Sequence, residues 1–304
     1  MIDRRESITA KLCSFARAYH SNFEKEKIFD DYLAFDLMGK EEYEEIGQLI
    51  QNNFEIAAFD ERKGFEGSLV YPFMNRYIAP IPLSRIAFAE KALQQFAREK
   101  GKCQYVICGA GMDTFAFRND NPDIRIFELD HPDTQRYKLE RIRKLEWNIP
   151  ENVSYVPIDF SRDDMNTVLK EAGISYELPT FVSILGVTYY LTLPVFEQTL
   201  KEVSRLSKGE SRVVFDFPDE TTFDRHGVNR VYRLTRITDK LGEPMLHGFR
   251  LSEIKKALLQ YGFQVDCHET PEAIQKEFFG ERADQQKAFE NIHFILAKKA
   301  EKVS

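Results

Sequence analysis

From residue 103 onward two patterns take turns along the chain. Apolar runs of six or seven residues, bounded by glycine, proline or charge, alternate with longer stretches whose apolar positions recur every three or four residues. The runs read as strands buried on both faces of a sheet, and the three-four spacing reads as helices laying one apolar stripe on it. Strands are predicted over 103–109, 124–130, 153–159, 180–186, 211–217, 264–269 and 293–299. Helices are predicted over His131 to Trp147, over Leu193 to Ser207 with Phe196, Leu200, Val203 and Leu206 on one face, and from Leu251 through Ile254, Leu258 and Tyr261. This alternation argues an α/β fold: a doubly wound, mostly parallel sheet of seven strands.

Upstream the pattern changes. Residues 1–84 are rich in aromatic and charged residues with few strand-like runs, and Glu41 to Ile50 reads as a helix, so a helical N-terminal cap is expected. Tyr71 to Pro82 holds three prolines, which should end one element before a helix begins at Ser84 as N-cap. In that helix Ile86, Ala89, Leu93 and Phe96 share a face, and Arg85 falls in the first turn, against the preference of a helix N-terminus for acids. A cation kept there either sits in solvent or meets a carboxylate. A second interruption, Pro218 to Phe249, is too long for a structureless loop and reads as a partly helical lid offering His226, Arg230, Tyr232 and His247 to a substrate. The expected organisation is a cap over 1–84 and a catalytic domain over 85–304, with a lid insertion at about 218–250.

The chemistry concentrates at Gln104 to Arg118, QYVICGAGMDTFAFR. A buried strand breaks there into Gly109, Ala110 and Gly111, and glycine lets the backbone turn tightly and lets a ligand approach the main chain. The next strand ends in Asp130, placed to accept hydrogen bonds from a ribose. A dinucleotide fingerprint would carry a third glycine where this chain has Thr114, and Asp113 puts negative charge where a pyrophosphate would lie. Turn and acid together therefore favour S-adenosyl-L-methionine, a sulfonium cofactor without phosphate, over NAD. The third strand also ends in acid, Asp159, followed by Phe160; the pair suits the adenine amino group and ring, and Asp159 equally suits a helix cap for the segment that follows. After the fourth strand Gly186 allows close approach, and Tyr189 and Tyr190 either line an acceptor pocket or pack in the core.

Composition narrows the partners. A net charge of −7 argues against a surface that coats nucleic acid, which leaves a small-molecule or protein acceptor. Cys13, Cys103, Cys108 and Cys267 lack metal-ligand or disulfide spacing, so no metal is expected. The start has no apolar signal region, and the longest apolar stretch, Phe181 to Phe196, is short and interrupted. A cytoplasmic protein with no membrane span is the expectation; the oligomeric state is not legible.

GAGMDTFAFR, then IRIFELDHP, PIDF and a G-x-x-Y-Y-L segment, preceded by an arginine-bearing helix, resembles the leucine carboxyl methyltransferase family. IFDDYLAFDLMG, Ile28 to Gly39, is similar to the N-terminal region of its bacterial tetracenomycin-type polyketide O-methyltransferase branch. The likeness covers roughly residues 25–215. It implies the class I S-adenosyl-L-methionine-dependent methyltransferase fold, with Arg85 meeting the cofactor carboxylate, Gly109 and Gly111 forming the turn, Asp130 on the ribose, and Asp159 with Phe160 at the adenine. One position departs from the family: Leu185 stands where it usually carries a glutamate at the end of the fourth strand. Methyl transfer to an oxygen is the expected activity, on a polyketide-like small molecule or a protein C-terminus, with His226 and His247 as candidate bases and no residue assigned as catalytic. A non-catalytic binder of the same cofactor and an NAD-linked oxidoreductase are the competing readings.

Overall fold

The computed structural model describes residues 7–53, 70–206, 210–280, 282, 284 and 286–300. Residues 1–6 and 54–69 of the predicted cap, and Ser207 at the end of a predicted helix, lie outside them. Seven strands form one sheet: β1 Cys103–Cys108, β2 Ile124–Asp130, β3 Val153–Pro157, β4 Thr180–Ile184, β5 Ser211–Pro218, β6 Phe263–Glu269 and β7 Ile292–Lys299. Their order is β3-β2-β1-β4-β5-β7-β6. Neighbours are parallel except around β7, which runs antiparallel between β5 and β6. The direction of winding reverses between β1 and β4, and the crevice beyond their carboxyl ends is where such sheets bind ligands.

Helices cover both faces. The N-terminal region contributes α1 Ile8–Phe23, α2 Ala34–Met38, α3 Lys40–Asn53 and α4 Val70–Phe73, and a π-turn at Met74–Ile78 feeds α5 Pro80–Lys100. Then come α6 Phe115–Arg118, α7 Pro132–Lys144, α8 Met165–Glu171, α9 Leu193–Val203, α10 Asn229–Lys240, α11 Leu251–Gln260 and α12 Pro271–Ile274. Because side chains alternate along a strand, each strand feeds both layers. Tyr105, Ile107, Ile126, Phe181 and Val214 pack with Leu93 and Phe96 of α5 and with Leu12 and Phe15 of α1. Val106, Cys108, Phe127, Leu129 and Phe215 pack with Leu169, Phe196, Leu200, Ile254 and Leu258 of α8, α9 and α11. The first of these layers runs from the sheet into the N-terminal helices without a break.

Two of the three prolines of Tyr71 to Pro82 begin a helix, contrary to the sequence expectation, and the third, Pro72, lies within α4. Pro80 and Pro82 occupy the first turn of α5, where a missing N–H costs no intrahelical bond. Ser84 is consequently not an N-cap: its hydroxyl donates back to Pro80 O at 2.6 Å, inside the helix. Arg85 lies in the second turn, where the N-terminal dipole acts on it less than the first-turn placement implied.

The lid predicted between Pro218 and Phe249 is built on α10, whose Val231, Leu234, Ile237 and Thr238 are buried. Its two ends leave the sheet together. Phe249 N donates to Pro218 O at 2.8 Å, and Asp219 and Phe249 form a single parallel bridge. Gly248 is required at that closure, since a Cβ there would come within 2.3 Å of Asp219 O. The far end of the lid is tied to α1, where Glu243 accepts from Ser7 Oγ at 2.9 Å, Ile8 N at 2.8 Å and Thr9 N at 3.1 Å. Among the described residues no helix is long and apolar enough to cross a membrane, and no cluster of His, Cys, Asp and Glu suits a metal ion.

Candidate functional site

A cavity of ≈ 260 Å³ opens at the carboxyl ends of β1, β2 and β4. One end is lined by Gly109, Ala110, Gly111, Asp113, Asp130 and Thr134, the other by Leu12, Ile81, Leu234, Ile237, Leu241 and Met245. Arg85, Leu185, Gly186, Tyr189 and Tyr190 line it between these ends. The cavity thus joins the polar glycine turn and Asp130 to apolar side chains of α1, α5 and the 218–249 insertion.

The polar end is made by the glycine turn. Gly109 and Gly111 have φ of 72° and 51°, which glycine adopts without strain. Gly109 N and Ala110 N both donate to Leu129 O, at 2.9 and 3.1 Å, pinning the turn to β2. A Cβ on Gly109 would lie 2.8 Å from Val187 Cγ2, whereas one on Gly111 would meet nothing within 4 Å, so Gly111 faces open space. Asp130 closes the arrangement: Oδ2 accepts from Gly111 N at 2.5 Å and Oδ1 from His131 N at 2.7 Å. Each oxygen retains a lone pair, which is what two vicinal hydroxyls need. Burial pushes the Asp130 carboxyl up, and the Gly111 and His131 N–H groups oppose that rise.

Asp113 lines the cavity while its Oδ1 accepts from Phe115 N at 2.6 Å, at the start of α6. Thr114 has a structural task that the sequence did not reveal. Its hydroxyl donates to Asp31 Oδ1 at 2.5 Å, and Asp31, fully buried, also pairs with Arg17 at 2.5 Å. Arg17 in turn donates to Met112 O at 2.8 Å. The N-terminal helices therefore grip the glycine turn directly, and IFDDYLAFDLMG contributes through Asp31.

Arg85 spans the middle of the cavity. Its Nη1 lies 3.2 Å from Oδ2 of Asp216, a fully buried residue of β5. The same oxygen accepts from Tyr189 Oη at 2.6 Å, and Oδ1 accepts from Gly186 N at 2.7 Å. Arg85 Nη2 is 3.9 Å from Cys13 Sγ, and Nε is buried without a hydrogen-bond partner. Burial pulls the guanidinium pKa down, but its anionic surroundings, Asp216 foremost among them, together outweigh that pull, so Arg85 stays charged. An under-partnered cation facing a cavity suits the carboxylate of an amino-acid moiety, and together with Gly111 and Asp130 it fits the expected cofactor.

Not every expected residue is at the cavity. Asp159 and Phe160 are not among its lining residues: Asp159 Oδ1 accepts from Ser161 N at 3.0 Å and from Ser161 Oγ at 2.5 Å, organising its own turn, and Phe160 is 45% exposed. His226 sits in an exposed turn whose N–H donates to Asp224 Oδ1 at 2.9 Å. His247 packs edge-on against Phe249, ring centroids 4.6 Å apart. Neither histidine lines the cavity: His226 lies in an exposed turn before α10, and His247, after it, is partly buried with its Nε2 enclosed away from the cavity. Arg230 lies over the Phe289 ring at 3.8 Å and donates to Ala288 O at 2.7 Å and Lys287 O at 2.8 Å, and Tyr232 is likewise absent from the lining. Sequence reading missed Asp216, whose signal was one acid inside an otherwise apolar run, VVFDFP.

Three ionisable groups of the cavity, Cys13, Tyr189 and Tyr190, are held neutral. Burial pushes Tyr190 up to about 12, Tyr189 well above its ordinary value with Asp216 adding to the rise, and Cys13 up despite the opposing Arg85 charge.

Comparison with known proteins gives a consistent result. A family model described as leucine carboxyl methyltransferase matches residues 10–204. YktD of Bacillus subtilis, provisionally named an S-adenosyl-L-methionine-dependent methyltransferase, is 35% identical over 308 residues, covering 98% of this chain and 100% of its own. A Mycobacterium avium protein with the same provisional description is 31% identical over 157 residues, covering 51% of this chain and 48% of its own. Among solved structures, a DUF574 family protein from Streptomyces avermitilis aligns with a TM-score of 0.51 at 15% identity, covering 72% of this chain and 85% of its own. At that identity the likeness is one of fold.

Proposed function

The chain belongs to the leucine carboxyl methyltransferase family and is an S-adenosyl-L-methionine-dependent methyltransferase, and from that premise we propose that it methylates an oxygen, specifically the carboxylate of a small acceptor with an apolar body. The observation that carries this reading is one continuous cavity lined by the glycine turn and Asp130, by the cation of Arg85, and by apolar side chains of α1, α5 and the 218–249 insertion. Membership of the tetracenomycin-type branch, with a polyketide-like acceptor, is part of the proposal, as is the division into a cap over 1–84 and a catalytic domain over 85–304.

In this reading Asp130 takes the ribose hydroxyls, Gly109 to Gly111 let the main chain approach the nucleoside, and Arg85 takes the methionine carboxylate. Asp113, at the edge of the turn, repels phosphate and so disfavours a dinucleotide. Asp159 and Phe160, which do not line the cavity, are the proposal's adenine-side residues. When bound, the sulfonium supplies an electrophilic methyl group and leaves as a neutral thioether. The protein's task is then to hold the acceptor oxygen in line and to exclude water, which Leu12, Ile81, Leu234, Ile237 and Met245 do by surrounding it with hydrocarbon.

A carboxylate acceptor is favoured over a phenol by the state of the cavity's own groups. Cys13, Tyr189 and Tyr190 are held protonated at neutral pH, and the cavity's two carboxylates, Asp113 and Asp130, are engaged by main-chain N–H groups at the glycine turn and the tip of β2; a phenol would need a base to take its proton, whereas a carboxylate arrives ionised. The test has two stages. Calorimetric titration should give binding of S-adenosyl-L-methionine and S-adenosylhomocysteine but not of NAD. Methyl-labelled cofactor incubated with apolar carboxylic acids should then give a product that liberates methanol in mild alkali. An alkali-stable product would transfer the assignment to hydroxyl acceptors, and binding without turnover on either class would favour a non-catalytic role.

A further inference from the structure

We propose that Asp216 is the positioning residue that sets Arg85 to receive the cofactor carboxylate, an inference that rests on the assignment of Arg85 given above. Asp216 is fully buried and does not line the cavity, so whatever it contributes to binding passes through another residue. Its carboxylate is taken up by Arg85 Nη1 at 3.2 Å, Tyr189 Oη at 2.6 Å and Gly186 N at 2.7 Å. Its main-chain oxygen accepts from Thr188 Oγ1 at 2.5 Å. The strand end and the loop after β4 are thereby built around one carboxylate, and the guanidinium is held on it at a single nitrogen.

That single-point hold is the informative feature. A guanidinium has five N–H donors in a planar fork, and a buried arginine with a purely structural role is expected to have them satisfied. Here Nε has no partner, and Nη2 has only the sulfur of Cys13 at 3.9 Å. The pair therefore fixes Arg85 through Nη1, leaves Nε buried and unpaired, and leaves Nη2 as the arm with no strong acceptor, free to meet a second anion. Gly186 makes room for this: with φ of +73° it carries no Cβ, and one placed there would lie 2.4 Å from Nη2.

The test compares two ligands on the full chain. S-adenosylhomocysteine carries the amino-acid carboxylate, whereas 5′-methylthioadenosine has the same nucleoside and thioether without it. Titration calorimetry on Asp216→Asn should show a loss of about tenfold or more for S-adenosylhomocysteine, with methylthioadenosine affinity kept within about twofold. Tyr189→Phe removes one donor and keeps the ion pair; it should show the same selectivity with a loss of about threefold, and it decides the question if Asp216→Asn does not fold. Equal losses for both ligands would mark a structural role and overturn the proposal. A gain in S-adenosylhomocysteine affinity would overturn it too, since Asp216 would then be competing with the ligand for Arg85. Failure of the folded wild-type protein to bind S-adenosylhomocysteine at all would instead remove the Arg85 assignment beneath it.

Discussion

The main-chain N–H of Gly111 donates to Asp130 Oδ2 across 2.5 Å, joining the glycine turn after β1 to the acid at the tip of β2. The carboxylate that would accept from a ribose is thus oriented by the turn that would lie under the nucleoside. Removing it should cost charge-assisted hydrogen bonds worth about 1.5–3 kcal/mol each. Asp130→Ala is expected to weaken S-adenosylhomocysteine binding by roughly tenfold or more, measured by calorimetry on a protein whose circular dichroism is unchanged. Unchanged affinity would refute the assignment of Asp130.

Gly186→Ala tests the space beside Arg85. The backbone there has φ of +73°, and the added methyl would approach Arg85 Nη2 to 2.4 Å. The left-handed conformation alone costs about 1–2 kcal/mol with a side chain present. A lower melting temperature is expected together with weaker cofactor binding, because the guanidinium must withdraw. A variant with wild-type stability and wild-type affinity would show that Gly186 is dispensable.

Buried His20 should make stability depend on pH. The side chain is fully buried, its Nε2 accepts from Ile28 N at 2.8 Å, and burial, helped by the nearby Arg282 charge, pushes its pKa down to about 4. Above pH 6.5 the ring is neutral in both folded and unfolded chains, so its contribution is fully present. Between pH 6.5 and 4 only the unfolded chain takes up a proton, and stability falls as the pH falls, by roughly 3 kcal/mol in total. Urea unfolding at pH 7 and pH 4.5 should show this loss in the wild type and a smaller one in His20→Gln.

The lid latch is separable from the cofactor site. Glu243 caps the start of α1 through Ile8 N and Thr9 N, a contribution of about 1–2 kcal/mol. Glu243→Ala should speed amide exchange over the first turn of α1 and raise the acceptor KM while leaving the cofactor Kd unchanged. Equal effects on both ligands would mean that the latch acts on the whole cavity.

The sheet was legible because its strands are apolar runs with abrupt ends. Ile124–Asp130 matches the expected strand at both boundaries, and the other strands differ from expectation by a residue or two. What failed had identifiable causes. Pro80 and Pro82 read as breakers although a first helical turn tolerates them, and His226 and His247 read as site residues from their place in a long polar insertion, whereas it is the apolar face of α10, between them in the chain, that reaches the cavity. Asp216 was invisible for another reason: its partners Arg85, Gly186 and Tyr189 come from two distant segments, and only the order of strands brings them to it.

The closure at Asp219 and Phe249 has an evolutionary consequence. An insertion whose ends leave and rejoin the sheet at one bridged point can be lengthened, replaced or exchanged between homologues while β5 and α11 keep their places. The residues it contributes to the cavity, Leu234, Ile237, Thr238, Leu241 and Met245, come from α10 and the segment after it, whereas the glycine turn comes from the end of β1. Diversification of acceptors can therefore proceed by substituting one cassette on an unchanged cofactor-binding chassis.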